Sequence, residues 1–360
     1  MMETQEFAIG ATVTVSLVAP DDAPTLARIE AFLAGRSDAT PFHRPAWVNA
    51  TARGTGQQAL YLVAQSPDGM LRGLLPLNII HSPIFGRALV SSGFAVDGGI
   101  IADVPATARL LADAAMDVAE RHACQTVELR GGVAPGPDWT VRTGGYLNFA
   151  RPLAADDEAE LLAIPRKHRA EVRKGLERDY RITHGRDQRL RDIHYALYRR
   201  TVHNLGTPVF PRALFEQVLD ALGDDADITL VSDGDTPLSA VISLYHAGAV
   251  MPYWQGADVD ARKARSNEVL YFSLMRHARA RGCHIFDFGR SKVGTGTAHY
   301  KANWGFASQP LDYYVRALDG TVARDINPLS PQYRRKTELW KRLPAPLADL
   351  VGPWIARGLG

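Results

Sequence analysis

The sequence is poor in several things, and each shortage excludes a class of protein. Two cysteines in 360 residues, Cys124 and Cys283, make no disulfide framework, and their spacing offers no metal knuckle. His-Glu-x-x-His, His-x-His and Cys-x-x-Cys are all missing, so no metal is expected. Gly-x-Ser-x-Gly is missing too, and neither cysteine has the basic or helix-start setting that makes a reactive thiolate. No Gly-Lys-Ser/Thr follows a glycine-rich turn, which sets nucleotide triphosphatases aside. Nowhere do about 18 apolar residues run uninterrupted, and MMETQEFAIGATVTVSLVAP places acids before its apolar run, so a cytoplasmic protein is expected. A net charge of +2 is too balanced for a protein coated with DNA.

What is present is the profile of a folded globular chain, with 46% hydrophobic and 22% charged residues. Its length is about twice that of a typical domain, which predicts two domains or lobes. Charge is unevenly spread: Pro165 to Arg200 holds 12 Lys/Arg against 5 Asp/Glu, just after an acidic patch of Asp156, Asp157, Glu158 and Glu160. In that basic block Ile164, Val172, Leu176 and Tyr180 form a narrow apolar stripe, while Arg166, Arg169 and Arg173 share another face. Such a face is either solvated or a contact for phosphates and carboxylates.

The chain also echoes itself. Leu110, Leu111, Ala114, Ala115 and Val118 lead into Cys124-Gln-Thr-Val-Glu-Leu. Leu270, Tyr271, Leu274, Met275 and Ala278 repeat the same spacing among themselves and lead into Cys283-His-Ile-Phe-Asp-Phe. Each cysteine lies four residues before an acid, Glu128 or Asp287. Upstream, residues 60–77 and 228–245 both read as strand, Asp/Gly turn, strand. This predicts a duplicated α+β domain, a helix on a mostly antiparallel sheet in each half. The expected boundaries are 1–155 for the first lobe, 156–325 for the second and 326–360 for a basic amphipathic tail.

The block FDFGRSKVGTGTAHYKANWGF (286–306), with PYWQGADVDARKARSNEVLYFSLMRHARARG upstream and PFHRPAW early in the chain, resembles the FemAB-like branch of the GNAT acyltransferase superfamily. The similarity is to the members that accompany exopolysaccharide and PEP-CTERM/exosortase systems, and it extends from about Pro41 to the end. It implies two GNAT-like lobes and transfer of an acyl or aminoacyl group to an amine or hydroxyl of an exopolysaccharide- or envelope-related acceptor. The donor would be an acyl-CoA, an acyl-carrier-protein or an aminoacyl-tRNA. The partners would then be a small-molecule or saccharide acceptor with a carrier protein or tRNA. A binding module that keeps the fold to recognise a glycan or protein is the competing class. One departure bears on the donor, since ARKARSN (261–267) has no glycine where the family's pyrophosphate loop normally carries them.

Acyl transfer needs a deprotonated nucleophile, a polarised carbonyl and a grip on the donor's anionic part. The candidates for catalysis are Asp287, Arg290, Tyr300 and Lys301. Asp287 lies between Phe286 and Phe288 and must find a partner or shift its pKa. It is either a base or the structural partner of Arg290. Ser291, Lys292, Gly294 and Gly296 would cradle an anion on a loop that brings Tyr300 and Lys301 against the ligand, with Trp304 as a flat surface for it and, together with Phe306, the loop's anchor to the body; the alternative is a turn that packs Tyr300 and Trp304 in the core. Tyr253, Trp254 and Gln255, then Arg169 and Arg173, and His43 from the first lobe complete the substrate-binding set. Basic and apolar residues in YRRKTELWKRLPAPLADLVGPWIARGLG read either as helices packed on the body or as a peripheral contact with the inner membrane.

Overall fold

The computed structural model describes residues 13–83, 86–320 and 337–360. In the first half β1 (Thr14–Val18), β2 (Gln58–Gln65), β3 (Leu71–Ser82) and β4 (Gly86–Ser91) are antiparallel neighbours in that order. A short β5 (Ile101–Ala102) adds to β3, and β6 (Thr126–Arg130) runs parallel to β4. Parallel neighbours need a crossover, here α3 (Pro105–Arg121), whereas α1 (Ala23–Leu33) and α2 (Pro45–Thr55) fill the connection from β1 to β2. After β7 (Thr140–Pro152), α4 (Asp157–Ala163) and α5 (Arg166–Leu176), the same plan repeats. β8 (Arg181–Gly185), β9 (Ala226–Asp233), β10 (Thr236–His246) and β11 (Ala249–Ala257) are antiparallel neighbours, and β12 (Ile285–Asp287) is parallel to β11. Here α6 (Gln188–Leu205) and α7 (Arg212–Leu222) join β8 to β9, while α8 (Ala261–Ala264) and α9 (Ser266–Ala280) make the crossover. The hairpins expected at 60–77 and 228–245 are β2–β3 and β9–β10.

The remaining elements join the repeats by exchange. β13 (Ser291–Lys292), α10 (Gly296–Asn303) and β14 (Ser308–Ala317) follow β12. β14 pairs with β6 of the first half, and β7 pairs with β12 of the second, while β7 and β14 pair with each other. One sheet therefore runs through both lobes in the order β1-β2-β3-β4-β6-β14-β7-β12-β11-β10-β9-β8. Each lobe's parallel pair is completed by a strand that follows the other lobe's pair in the chain.

Helix burial follows the 3.6-residue period. α3 opens with Pro105 at its first position, where a missing N–H costs nothing. It buries Ala108, Leu111, Ala112, Ala115, Val118 and Ala119 against the first half of the sheet, and Leu110 turns outward. α9 buries Leu270, Leu274, Met275 and Ala278 against the second half. The opposite side of the sheet has a core common to both lobes, in which Trp47 stacks on Trp254 at 5.5 Å and Phe215 meets Trp254 at 4.8 Å. There α2 crosses α7 at Gly54, whose missing side chain is what admits Leu214, since a Cβ would lie 2.5 Å from the Leu214 Cα.

Candidate active site at the lobe junction

The parallel strands β11 and β12 are paired only at Ala249–Ile285 and Val250–Phe286. β12 then ends at Asp287, its other edge held by β7 through Ala150. β11 runs on to Ala257 with one extra residue, Tyr253, because Ser243 faces Pro252 while Ile242 faces Trp254. Such a bulge bends its strand and re-aims a side chain. The two strands thus separate where the acid and the bulged tyrosine lie.

A first-lobe loop reaches this separation. Tyr253 donates its hydroxyl hydrogen to the Phe94 carbonyl at 2.6 Å, and Tyr313 on β14 donates to the Val96 carbonyl at 2.8 Å. Ser92 and Phe94 have φ of 48° and 61°, left-handed values that cost a non-glycine residue about 1–3 kcal/mol. Hydrogen bonds hold them there. Ser92 donates to the Phe42 carbonyl at 2.6 Å, and the Gly93 N–H donates to Asn78 Oδ1 at 2.7 Å. These bonds hold a strained loop of the first lobe against the separated ends of β11 and β12.

Asp287 is half-buried between the aromatic residues Phe286 and Phe288. Burial raises its carboxyl pKa above the ordinary value, against the Gly289 N–H that donates to Oδ1 at 2.8 Å, the Asn148 side chain and the charge of Lys301. Its counterpart in the first repeat goes the other way. Burial alone would raise Glu128, but the charge and 2.8 Å hydrogen bond of Arg130, with Arg142 and Arg290 beyond, bring it below the ordinary value. The duplicated strands have therefore kept two acids and given them opposite protonation tendencies. Opposed environments of this kind separate an acid or base from a fixed charge.

Lys301 reaches back from α10 into the turn after β12. Its ammonium donates to the carbonyls of Phe288, Gly289 and Arg290 at 2.6, 2.9 and 3.0 Å. Burial pulls its pKa down to about 7, with Asp287 opposing, while three carbonyl acceptors favour the protonated form. The expected loop is thus a helix whose lysine clamps the strand end. Thr295 caps that helix, accepting from the Ala298 N–H at 3.4 Å and donating to the Lys292 carbonyl at 2.7 Å. Gly294, at φ 74°, makes the bend into it. Gly296 begins the helix with open space around it.

Arg290 does not pair with Asp287. Its guanidinium lies 4.4 Å over the Tyr146 ring and donates to the Tyr313 hydroxyl at 2.7 Å, because β7 and β14 present two tyrosines on the side to which the left-handed Gly289 turns the chain. Tyr300 and Trp304 pack inward. Trp304 is fully buried, with Tyr300 at 6.4 Å and His168 of α5 at 5.0 Å, so Trp304 is held in the body and Tyr300 packs beside it instead of closing over the strand end.

The other residues named from sequence scatter. Ser291 and Lys292 form β13 on β7, and the Val293 N–H donates to the Gly145 carbonyl at 3.2 Å, so pairing takes up part of the expected anion cradle. Lys292 lies 5.9 Å from the Tyr146 ring, near Arg290. Trp254 is in the shared core, and Gln255 donates to Asn267 at 3.0 Å. His43 is buried, with Nδ1 accepting from the Thr40 N–H at 3.0 Å and Nε2 facing the Gly99 carbonyl at 3.1 Å. Burial lowers its pKa. Arg169 donates to the Ile164 and Leu162 carbonyls, both at 3.0 Å, and with Arg166, Arg173, Lys174 and Glu177 lines a surface groove of about 510 Å³. Asn148, Tyr146, Tyr313 and the Phe94–Val96 loop belong to the junction but had no signature in the sequence, because β7, β14 and the loop meet only through the strand exchange.

In the turn before α9, the N–H groups of Ala264 and Arg265 donate to the Asp260 and Arg262 carbonyls at 2.8 and 3.3 Å, so this turn does not present them to a pyrophosphate. Among the described residues no three or more His, Cys, Asp or Glu side chains are grouped to hold a metal ion.

Residues 165–302, which carry Asp287, Arg290 and Lys301, match the acetyltransferase (GNAT) domain family. No curated protein sequence matches the chain. Among solved structures, FemX is similar with a TM-score of 0.63 at 15% identity, over 80% of this chain and 95% of that one. A tandem GNAT protein from the clavulanic acid biosynthesis pathway is similar at 0.54 and 11%, over 87% and 100%. N-myristoyltransferase of Saccharomyces cerevisiae is similar at 0.54 and 12%, over 92% and 90%. The chain thus carries an acyltransferase domain of the GNAT type over residues 165–302, set within a duplicated GNAT-like fold.

Proposed function

We propose that the protein transfers an acyl or aminoacyl group to an amine or hydroxyl of an exopolysaccharide- or envelope-related acceptor in the cytoplasm. The observation that carries this reading is the environment of Asp287: a half-buried carboxyl of raised pKa, at the end of a parallel strand, where its neighbour strand separates from it.

In this reading the Asp287 carboxylate takes the proton from the acceptor's amine or hydroxyl as that nucleophile attacks the donor's ester or thioester carbonyl. A carboxylate of raised pKa is a stronger base than an exposed one. The new C–N or C–O bond forms as the donor's C–O or C–S bond breaks, and the proton passes from Asp287 to the leaving group. Arg290, fixed by Tyr146 and Tyr313, supplies positive charge towards the developing oxyanion. Lys301 keeps the turn in shape by holding its three carbonyls. The basic face of α5, with Arg166 and Arg173, would meet the anionic part of an acyl-CoA, an acyl-carrier-protein or a tRNA. The same reading takes residues 1–155 and 156–325 as the two lobes and 326–360 as a tail.

The test is to offer labelled acyl-CoAs, acyl-carrier-protein and aminoacyl-tRNA with amine- and hydroxyl-bearing saccharides, and to analyse products by mass spectrometry. Transfer from one donor class, lost in Asp287→Asn, is the expected result. Silence with every donor, together with saccharide binding in equilibrium dialysis, would overturn it in favour of a binding module.

A further inference from the structure

The helix Ala345–Ala356 buries a stripe of small residues, with Val351 and Ile355 half-buried beside it, and turns three large apolar residues outward. Ala348, Gly352 and Ala356 are buried, whereas Leu347, Leu350 and Trp354 are exposed, Leu350 by 77% and Trp354 by 45%. At 100° per residue the two triplets face about 170° apart. The small stripe allows close contact with the body, and a Cβ on Gly352 would lie 3.1 Å from Val209 and 3.6 Å from the Trp340 ring. The large face is left outward. Leu339, 68% exposed, lies just before it in the chain.

Charge says what covers this face. From Arg334 to the end the sequence has six Lys/Arg against two Asp/Glu, a net +4 in a chain whose total is +2. Three of the six, Arg334, Arg335 and Lys336, lie outside the described residues. Lys341 and Arg342 are exposed just before the helix. Asp349 is paired with Arg199 of the body at 2.9 Å, and Glu338 with Lys341 at 3.0 Å, so of the two exposed cations before the helix Lys341 already meets a carboxylate. Exposed Leu and Trp flanked by cations are what an anionic lipid surface binds, the rings and alkyl chains at the acyl boundary and the cations among the headgroups. We infer that Leu347, Leu350 and Trp354, with Arg342 beside them, seat the protein on an anionic bilayer surface.

The chain beyond this helix runs on to the junction. Beyond the helix, a Cβ on Gly360 would lie 2.8 Å from the Phe94 ring, and Arg130 donates to the Gly360 carbonyl at 3.1 Å. The segment after the helix thus packs against the loop at the junction. The inference does not depend on which acceptor is used.

The experiment is sedimentation of the full chain with phosphatidylcholine vesicles, with and without phosphatidylglycerol, for the wild type and for Leu350→Glu/Trp354→Ala. Brominated acyl chains provide a second readout, since Trp47, Trp139, Trp254 and Trp304 are buried, Trp340 is half-buried and Trp354 is exposed, so the quenching lost in the double variant is that of Trp354. The wild type should bind the anionic vesicles with Trp354 quenched. The double variant should bind roughly tenfold more weakly with an unchanged melting temperature. Equal binding by both proteins, or none by either, would overturn the inference. A concentration-dependent dimer that the double variant abolishes would overturn it as well, by assigning the face to a second copy.

Discussion

The Arg290 guanidinium donates to the Tyr313 hydroxyl at 2.7 Å, and that hydroxyl donates onward to the Val96 carbonyl. A residue at the mouth of the second lobe is thereby tied through β14 to a loop of the first. Tyr313→Phe removes both bonds and keeps the ring. Hydrogen bonds to charged groups contribute about 1.5–3 kcal/mol, so the melting temperature should fall by several degrees. Turnover should fall roughly tenfold, because the guanidinium loses its anchor. Calorimetry and steady-state kinetics check this, and a normal rate with a lowered melting point would leave Arg290 a purely structural tie.

Lys301→Met tests the clamp. From sequence alone the substitution would leave stability unchanged, since the charge was expected to face a ligand. With its three carbonyl acceptors in place, the change strips three part-buried groups of their partner, at about 1–3 kcal/mol for each one left unsatisfied. A clear drop in melting temperature is expected, and an unchanged melt would return Lys301 to the ligand.

The same lysine gives stability a pH dependence. Its folded-state pKa is lowered to about 7, below that of the unfolded chain, so between these values the unfolded state binds more protons and stability rises with pH. The contribution is complete above the unfolded value and is lost as pH falls through about 7. Urea melts of the wild type should show this slope from about pH 7 to 10, and those of Lys301→Met should lack it.

How much of this was legible in the sequence follows from which contacts are local. The repeat was readable because each copy carries its own helix period, hairpin turn and cysteine-to-acid spacing. Asp287 stood out as an acid between two phenylalanines. Tyr313 and Tyr146 did not, because their partner Arg290 is reached only once β7 and β14 have crossed between lobes. Lys301 was singled out for its charge, but a lysine beside glycines reads alike whether it meets a ligand or three carbonyls of its own chain. Arg290 was paired with Asp287 on spacing, and Gly289 turned it elsewhere.

Strand exchange predicts how the lobes fold. Residues 1–155 contain β7 without its partner β12, and residues 156–360 contain β14 without β6. Each fragment expressed alone exposes unpaired strand edges and should aggregate or stay unfolded. Co-expressed, the two should purify as one complex. Two separately soluble, cooperatively melting fragments would show that the exchange is dispensable.

The two acids of the repeat should respond in opposite ways. Glu128→Gln removes the partner of the buried Arg130 and should destabilise, by about 3–5 kcal/mol if the charge is left uncompensated. Asp287→Asn removes a carboxylate whose ionised form folding disfavours. The raised pKa means that its contribution to stability is full below the unfolded value and is lost as pH rises through the folded one. At neutral pH this variant should be at least as stable as the wild type.

That contrast makes Asp287→Asn the most direct test of the central claim, that the lobe junction is the site of acyl transfer. The measurement is the single-turnover rate with the donor the wild type uses, alongside the melting temperature. The account predicts a rate reduced roughly a hundredfold or more, in a protein that melts no lower than the wild type. A wild-type rate in that stable variant would contradict it and move the chemistry away from the junction.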